Sequence, residues 1–195
     1  MNSASNLVLV GPMGAGKSCI GRALAERFSL RLVDVDHEIE LRTGATISTI
    51  FECEGEAGFR ARERSMLAEL LADDGIVLST GGGAVIDPDN RRQLRERGFV
   101  VHLHVSVERQ IERLASDRSR PLLARGDREQ VLHALAAERE PLYAQVADLR
   151  FDTNHYTATE VASRLAQELL QSDWQPQAPA RVDTGLQRAH SKEPS

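Results

Sequence analysis

The sequence predicts a single α/β domain built on a parallel β-sheet, and three observations predict it. Short aliphatic runs alternate with stretches of helical periodicity from Leu7 to Leu170. The aliphatic runs are continuous rather than alternating with polar residues, as in strands covered on both faces. The first run ends in a glycine-rich turn that opens into a helix, the start of a β-α-β unit. At 195 residues the chain has the length of one domain able to bury a sizeable core.

The elements follow in order. Leu7-Val8-Leu9-Val10 is a buried strand closed by Gly11. Gly11 to Gly16 form a turn, and Ile20, Leu24 and Phe28 place a helix over Lys17 to Phe28. A second strand runs from Arg31 to Asp36. Short helices follow at Ile39 to Arg42 and Ile47 to Phe51, separated by Thr43-Gly44. A longer amphipathic helix covers Glu56 to Leu71. Ile76-Val77-Leu78 centre a third strand, Gly75 to Ser79, which ends at Gly81-Gly82-Gly83. Asp87-Pro88 opens a helix to about Arg97, Asp being a helix cap and Pro a first-turn residue. Phe99 to Val105 is the fourth strand, and Val107 to Leu114 the next helix. Ser116 to Asp127 lacks periodicity and reads as a mobile loop. Arg128 to Tyr143 is helical with an interruption near Pro141. Leu149 to Thr153 is the fifth strand, and Thr157 to Leu170 the last helix, with Val161, Leu165 and Leu169 on one face. The domain is expected over 6–171, with disordered tails at 1–5 and 172–195, the latter rich in Gln, Pro, Ala and Ser.

Composition narrows the function classes. Asp plus Glu number 29 against 24 Lys plus Arg, a net charge of -5 with no basic stripe, which argues against a nucleic-acid partner. No apolar run approaches membrane-spanning length, and no signal peptide is indicated. Cys19 and Cys53 lack metal-ligand spacing, and such sparse cysteine fits a reducing, cytoplasmic setting. Lysine occurs only at Lys17 and Lys192, so a lysine inside a glycine-rich loop stands out.

That loop, Gly11-Pro12-Met13-Gly14-Ala15-Gly16-Lys17-Ser18, fits the P-loop pattern, with strand before and helix after. Glycines let the backbone wrap around phosphate oxygens, while loop N–H groups and the helix N-terminus favour anions. Lys17 can reach the β- and γ-phosphates of a nucleoside triphosphate, and the Ser18 hydroxyl can ligate Mg²⁺. Three further features lie at strand ends, where an open α/β sheet forms its ligand crevice. Asp34 and Asp36 close the second strand two residues apart, on one side of it, so that one could stand by Mg²⁺ while the other meets an acceptor hydroxyl. Gly81-Gly82-Gly83 leaves backbone N–H groups open to a small polar ligand. Arg60, Arg120 and Arg139, in separate segments, offer guanidinium forks suited to carboxylate or phosphate.

Over Asn6 to Leu170 the chain resembles shikimate kinase. The resemblance rests on the P-loop, Asp34-Val35-Asp36, Gly55-Glu56-Ala57-Gly58-Phe59-Arg60, Gly81-Gly82-Gly83-Ala84, Arg120-Pro121-Leu122-Leu123 and Arg139-Glu140-Pro141-Leu142-Tyr143, in that order and spacing. It implies a P-loop NTPase fold like that of nucleoside monophosphate kinases, with a five-stranded parallel sheet ordered 2-3-1-4-5, flanking helices and a mobile lid at about 116–127. It implies transfer of the ATP γ-phosphoryl group to the 3-hydroxyl of shikimate, giving shikimate 3-phosphate and ADP on the route to chorismate and aromatic amino acids. By that resemblance Lys17, Asp36 and Arg120 are catalytic. Gly14, Ala15, Gly16, Lys17, Ser18, Cys19, Arg113 and Arg120 bind ATP, Arg113 on the adenine side and Arg120 from the lid. Asp36, Arg60, Gly82, Gly83 and Arg139 hold shikimate, and Phe51 and Phe59 line its ring. Ser18 ligates Mg²⁺ directly, and Asp34 acts through water. Thr153 to Thr157 falls where an adenine-contacting loop belongs. The expected partners are shikimate and ATP, with no nucleic acid or membrane, and the expected state is a monomer. Kinases of gluconate or of a nucleoside monophosphate, and a non-catalytic nucleotide-binding module, are the competing readings. Asp34-Val35-Asp36 with Gly81-Gly82-Gly83 argues against the first pair. Lys17, Ser18, Asp36 and Arg120 together argue against the last.

Overall fold

The computed structural model describes residues 5–115 and 127–176. Five parallel strands form one sheet in the order β2-β3-β1-β4-β5: β1 Asn6–Val10, β2 Arg31–Asp34, β3 Ile76–Ser79, β4 Gly98–His104 and β5 Leu149–Asp152. The helices are α1 Lys17–Phe28, α2 Val35–Thr43, α3 Ile47–Leu70, α4 Pro88–Arg97, α5 Val107–Arg113, α6 Arg128–Val146 and α7 Ala158–Gln171. The expected strand order and helical flanks are therefore those observed.

The sheet divides two apolar layers by the parity of its strands. Val8 and Val10 of β1, with Leu78 of β3, face a core shared with α2, α3, α4 and α6; their neighbours Leu7 and Leu9, with Val77, face α1 and α7. Every residue of β1 and β3 is buried, which is why both read as unbroken aliphatic runs. β1 pairs with β3 (Leu7 opposite Val77) and with β4 (Leu7 opposite Phe99), so the turn after β1 emerges at the centre of the sheet's carboxyl edge.

Four features differ from expectation. β2 stops at Asp34, and Asp36 lies in the first turn of α2: the Asp34 carboxylate accepts a bond from the His37 amide and caps the helix, ending the strand two residues early. The two expected helices on either side of Gly55 run on as α3, bent at Gly55, whose φ of 71° and ψ of -178° only glycine adopts readily. α6 passes through Pro141 to Val146, because Tyr143 and Val146 on the far side of the proline are both buried and hold the last turn against the core. Finally, the packed chain continues past residue 171: Trp174 is buried, its ring 4.9 Å from that of Phe28, edge to face. At the other end Ser5 is also buried and donates to Asp74. The expected lid lies outside the described residues except for Asp127, which caps α6 by accepting from the Glu129 amide.

Among the described residues, no helix is long and apolar enough to cross a membrane.

Candidate functional site

A cavity of about 380 Å³ opens at the carboxyl edge of the sheet, and nearly all the residues singled out from sequence line it. Its floor is the P-loop. Gly11, Gly14 and Gly16 have positive φ values of 143°, 79° and 89°, and this left-handed backbone curls the loop around a central hollow. A side chain at Gly11 would lie 2.4 Å from the Leu103 carbonyl oxygen of β4, so the loop also needs glycine to sit against the sheet. Gly16 precedes α1 with no side-chain cap on its amides, leaving the helix N-terminus directed at the hollow. Lys17 donates to the Gly11 and Pro12 carbonyls at 2.8 and 2.9 Å, which lays its ammonium across the loop mouth.

Ser18 donates to Asp34 at 2.6 Å, and its hydroxyl lies 3.4 Å from that of Ser79 at the end of β3. Three oxygen donors from α1, β2 and β3 thus meet beside the loop. A hard divalent cation takes such ligands, so the donor set fits Mg²⁺.

The other end of the cavity is built from four charged side chains that balance one another: Asp36 on α2, Arg60 and Glu63 on α3, and Arg139 on α6. Arg60 bonds Glu63 at 2.7 Å and reaches Glu56 at 3.0 Å, with its guanidinium 5.2 Å from the Phe59 ring. Burial pushes the Glu63 carboxyl above its ordinary value; Arg60 opposes the rise, and nearby Asp36 adds to it. Arg139 is buried, its Nε makes no hydrogen bond to the described protein, and the Glu138 carboxylate is 3.8 Å away. Glu63 Oε1 is likewise buried without a hydrogen bond. Buried polar atoms of this kind are costly unless something else satisfies them.

Gly81-Gly82-Gly83 passes through this group. A β-carbon at Gly81 would lie 2.8 Å from Glu63 Oε1 and 3.0 Å from Asp36 Oδ1, and one at Gly83 would lie 2.2 Å from an Arg60 nitrogen. At Gly82 the same atom would sit 3.5 Å from the Met13 amide of the P-loop. The glycine run is therefore the wall shared by the phosphate end and the charged end. Phe51 and Phe59, rings 4.8 Å apart, form an apolar side of that end.

Arg113 on α5 connects the loop to the end of β5. It donates to the Gly14 carbonyl at 3.0 Å and to the Thr153 carbonyl at 2.6 Å, and burial lowers its pKa, with Arg109 adding to the effect. A second cleft lies behind the P-loop, lined by Gly14, Ala15, Cys19, Arg113, Thr153 and Tyr156 among others. Ala15 and Cys19 face that cleft, and Cys19 also borders the main cavity.

Of the residues named from sequence, Gly14, Gly16, Lys17, Ser18, Cys19, Asp34, Asp36, Phe51, Phe59, Arg60, Gly82, Gly83, Arg113 and Arg139 border one cavity. Arg120 lies outside the described residues. Sequence reasoning missed Glu63 and Tyr143. Glu63 carried a weak signal, three residues after Arg60 on the same helical face. Tyr143 is buried, and its hydroxyl donates to the Gly82 carbonyl, tying α6 to the glycine run.

A family model described as shikimate kinase matches residues 13–170. The chain belongs to the shikimate kinase family. A shikimate kinase of Stenotrophomonas maltophilia strain R551-3 is 59% identical over 91% of this chain and 98% of its own length. One from Xanthomonas oryzae pv. oryzae strain PXO99A is 59% identical over 87% of this chain and 94% of its own. Among solved structures, shikimate kinase from Acinetobacter baumannii in complex with shikimate superposes with a TM-score of 0.83 at 48% identity, covering 86% of this chain and 93% of that one. The Bacillus subtilis YorR protein, solved with phosphorylated GDP, shares the fold alone, with a TM-score of 0.56 at 14% identity.

Proposed function

We propose that this shikimate kinase binds ATP over the P-loop and shikimate against Asp36, Arg60 and Arg139, and transfers the γ-phosphoryl group to the 3-hydroxyl. The observation that supports the reading is one cavity lined at one end by the P-loop and at the other by Asp36, Arg60, Glu63 and Arg139, with the glycine run as their shared wall.

Each residue type suits its task. Arg60 and Arg139 clamp the substrate carboxylate through paired, charge-assisted hydrogen bonds. Phe51 and Phe59 pack on the carbocycle, and the Gly82 and Gly83 amides meet ring hydroxyls. Asp36 accepts a hydrogen bond from the reacting hydroxyl and turns it toward the γ-phosphate; in a loose transition state this orientation counts for more than early proton removal. Lys17, with its charge already placed at the loop mouth, stabilises the transferring group. Ser18 and Asp34 would hold Mg²⁺ beside the loop, Asp34 through water, and when bound the cation would supply positive charge against the phosphate oxygens. Arg113 and the second cleft take the adenine side. Arg120 is assigned to the lid over ATP by sequence resemblance alone.

We also read the protein as a cytoplasmic monomer: its cysteines are exposed free thiols, as suits a reducing compartment, and one chain supplies both ends of the cavity. Coupled-assay turnover with shikimate, gluconate and AMP side by side tests the function. Rapid ADP release is expected only with shikimate, and equal turnover of gluconate or AMP would refute it.

A further inference from the structure

Where β4 meets α6 lies a second cluster that the kinase reaction does not use. His102 and His104 stand two apart on β4 and face the same side, toward Glu140 of α6. His102 Nε2 is 3.7 Å from one Glu140 oxygen, and His104 Nδ1 is 3.2 Å from the other. One donor atom from each of the three residues falls within 4.8 Å of the others. His102 is wholly buried, yet among the described residues neither of its ring nitrogens has a hydrogen-bond partner, and the buried His104 Nδ1 has none either. A buried imidazole ordinarily has a partner for at least one nitrogen, so these three atoms form a polar group directed at an unfilled demand. The Tyr143 ring stacks on His102 with centroids 4.9 Å apart, fixing that ring, while Glu140 is partly exposed and free to adjust.

We propose that His102, His104 and Glu140 form a binding site for a divalent transition metal of the Zn²⁺ type. Two imidazoles and one carboxylate are borderline ligands that favour Zn²⁺, Co²⁺ or Ni²⁺ over Mg²⁺. Zinc–ligand bonds of about 2.0–2.2 Å require the three donors to draw in from their present spacing. The partly exposed Glu140 makes that movement, and solvent completes the fourth position. Arg150 is the competing cation: it lies opposite His102 in the strand pairing and 3.6 Å from Glu140. Loading the site exchanges that weak, exposed pair for metal ligation. Since Glu140 adjoins Arg139, a bound ion ties the shikimate-facing stretch of α6 to the sheet.

The test is metal binding to full-length protein freed of metal by chelation, without nucleotide. Co²⁺ is the spectroscopic probe, and Zn²⁺ and Mg²⁺ are the thermal ones. The expected result is the intense visible absorption of four-coordinate Co²⁺ with no thiolate charge-transfer band, and a rise in Tm with Zn²⁺ not matched by Mg²⁺. Glu140→Gln and His104→Ala should each weaken Co²⁺ affinity tenfold or more, and Arg150→Gln should strengthen it. Both ligand positions are partly exposed, so the variants are expected to fold, as circular dichroism checks. A Co²⁺ spectrum or Zn²⁺ shift that survives in both ligand variants would place the metal elsewhere and overturn the assignment, as would no binding at all.

Discussion

A β-carbon added to Gly83 would stand 2.2 Å from an Arg60 guanidinium nitrogen. Gly83→Ala must therefore displace Arg60 from its place beside Glu63, and it should raise the shikimate KM tenfold or so while the ATP KM changes little. Steady-state kinetics with each substrate varied in turn decides it, and an equal rise in both constants would refute the placement of Arg60. The two aspartates separate by a similar comparison. Asp36→Asn keeps the shape and loses the charge proposed to orient the hydroxyl, so kcat should fall strongly at saturating Mg²⁺ with nearly unchanged ATP affinity. Asp34→Asn, which alters the partner of Ser18, should raise the Mg²⁺ requirement instead. If Asp36→Asn acted only through Mg²⁺, the acceptor role would be wrong. At this scale Lys17, Ser18 and Asp34 were legible because the P-loop and strand-end chemistry are local in sequence. Glu63 was not: a glutamate in an Arg- and Glu-rich helix reads as a solvated charge. Its burial depends on Gly81 having no side chain, a contact between positions distant in sequence.

Elements were legible where the pattern was local and not where tertiary packing overrode it. Pro141 argued for a break in α6, since a proline removes a helical hydrogen bond; buried Tyr143 and its bond to Gly82 outweigh that loss. Asp34 and Asp36 looked like a strand end because Val33 and Val35 alternate with them. The aspartate cap converts the second half into helix, which leaves Asp36 in the first turn of α2, where a negative charge suits the helix dipole. The bend in α3 supports a prediction of its own. A β-carbon added at Gly55 would meet nothing within 4 Å among the described residues, so Gly55→Ala meets no clash there and tests backbone strain. A left-handed, extended backbone of this kind costs a non-glycine residue about 1–3 kcal/mol. For a domain of this size that lowers Tm by roughly 2–4 °C per kcal/mol. A calorimetric Tm unchanged from the parent would mean that the bend relaxes without cost. Because Phe51 and Phe59 lie on opposite sides of the bend, the same variant should also disturb shikimate binding.

The ligand cavity opens at the carboxyl edge of the sheet, whereas β4 carries a wholly buried histidine, His102, through the core. The parallel sheet and its two-sided burial could be read from aliphatic runs and helix spacing, and the strand order only from the family resemblance, but no local pattern measures how deeply one histidine sits. Burial lowers the His102 pKa to about 4; Glu140 opposes the shift, and His104, Arg150 and Lys17 add to it. An unfolded histidine titrates near 6.5. Between these values the unfolded chain binds a proton that the folded chain refuses, so the unfolded state gains as pH falls. Stability from this group is complete above about pH 6.5 and is lost progressively down to about pH 4, with a slope no steeper than about 1.4 kcal/mol per pH unit for one proton. Carboxylates that protonate at lower pH change stability as well, which makes the slope of one protein uninformative. The difference between the parent and His102→Gln isolates the histidine, because glutamine does not titrate, and chelator in every buffer removes any metal contribution. Denaturant unfolding at half-unit steps from pH 7.5 to 4.5 should show the parent losing stability faster than His102→Gln below pH 6.5, with the two curves parallel above it. Parallel curves throughout would mean that His102 takes up its proton in the folded state as readily as in the unfolded one, and that its burial beneath the Tyr143 ring is breached by water.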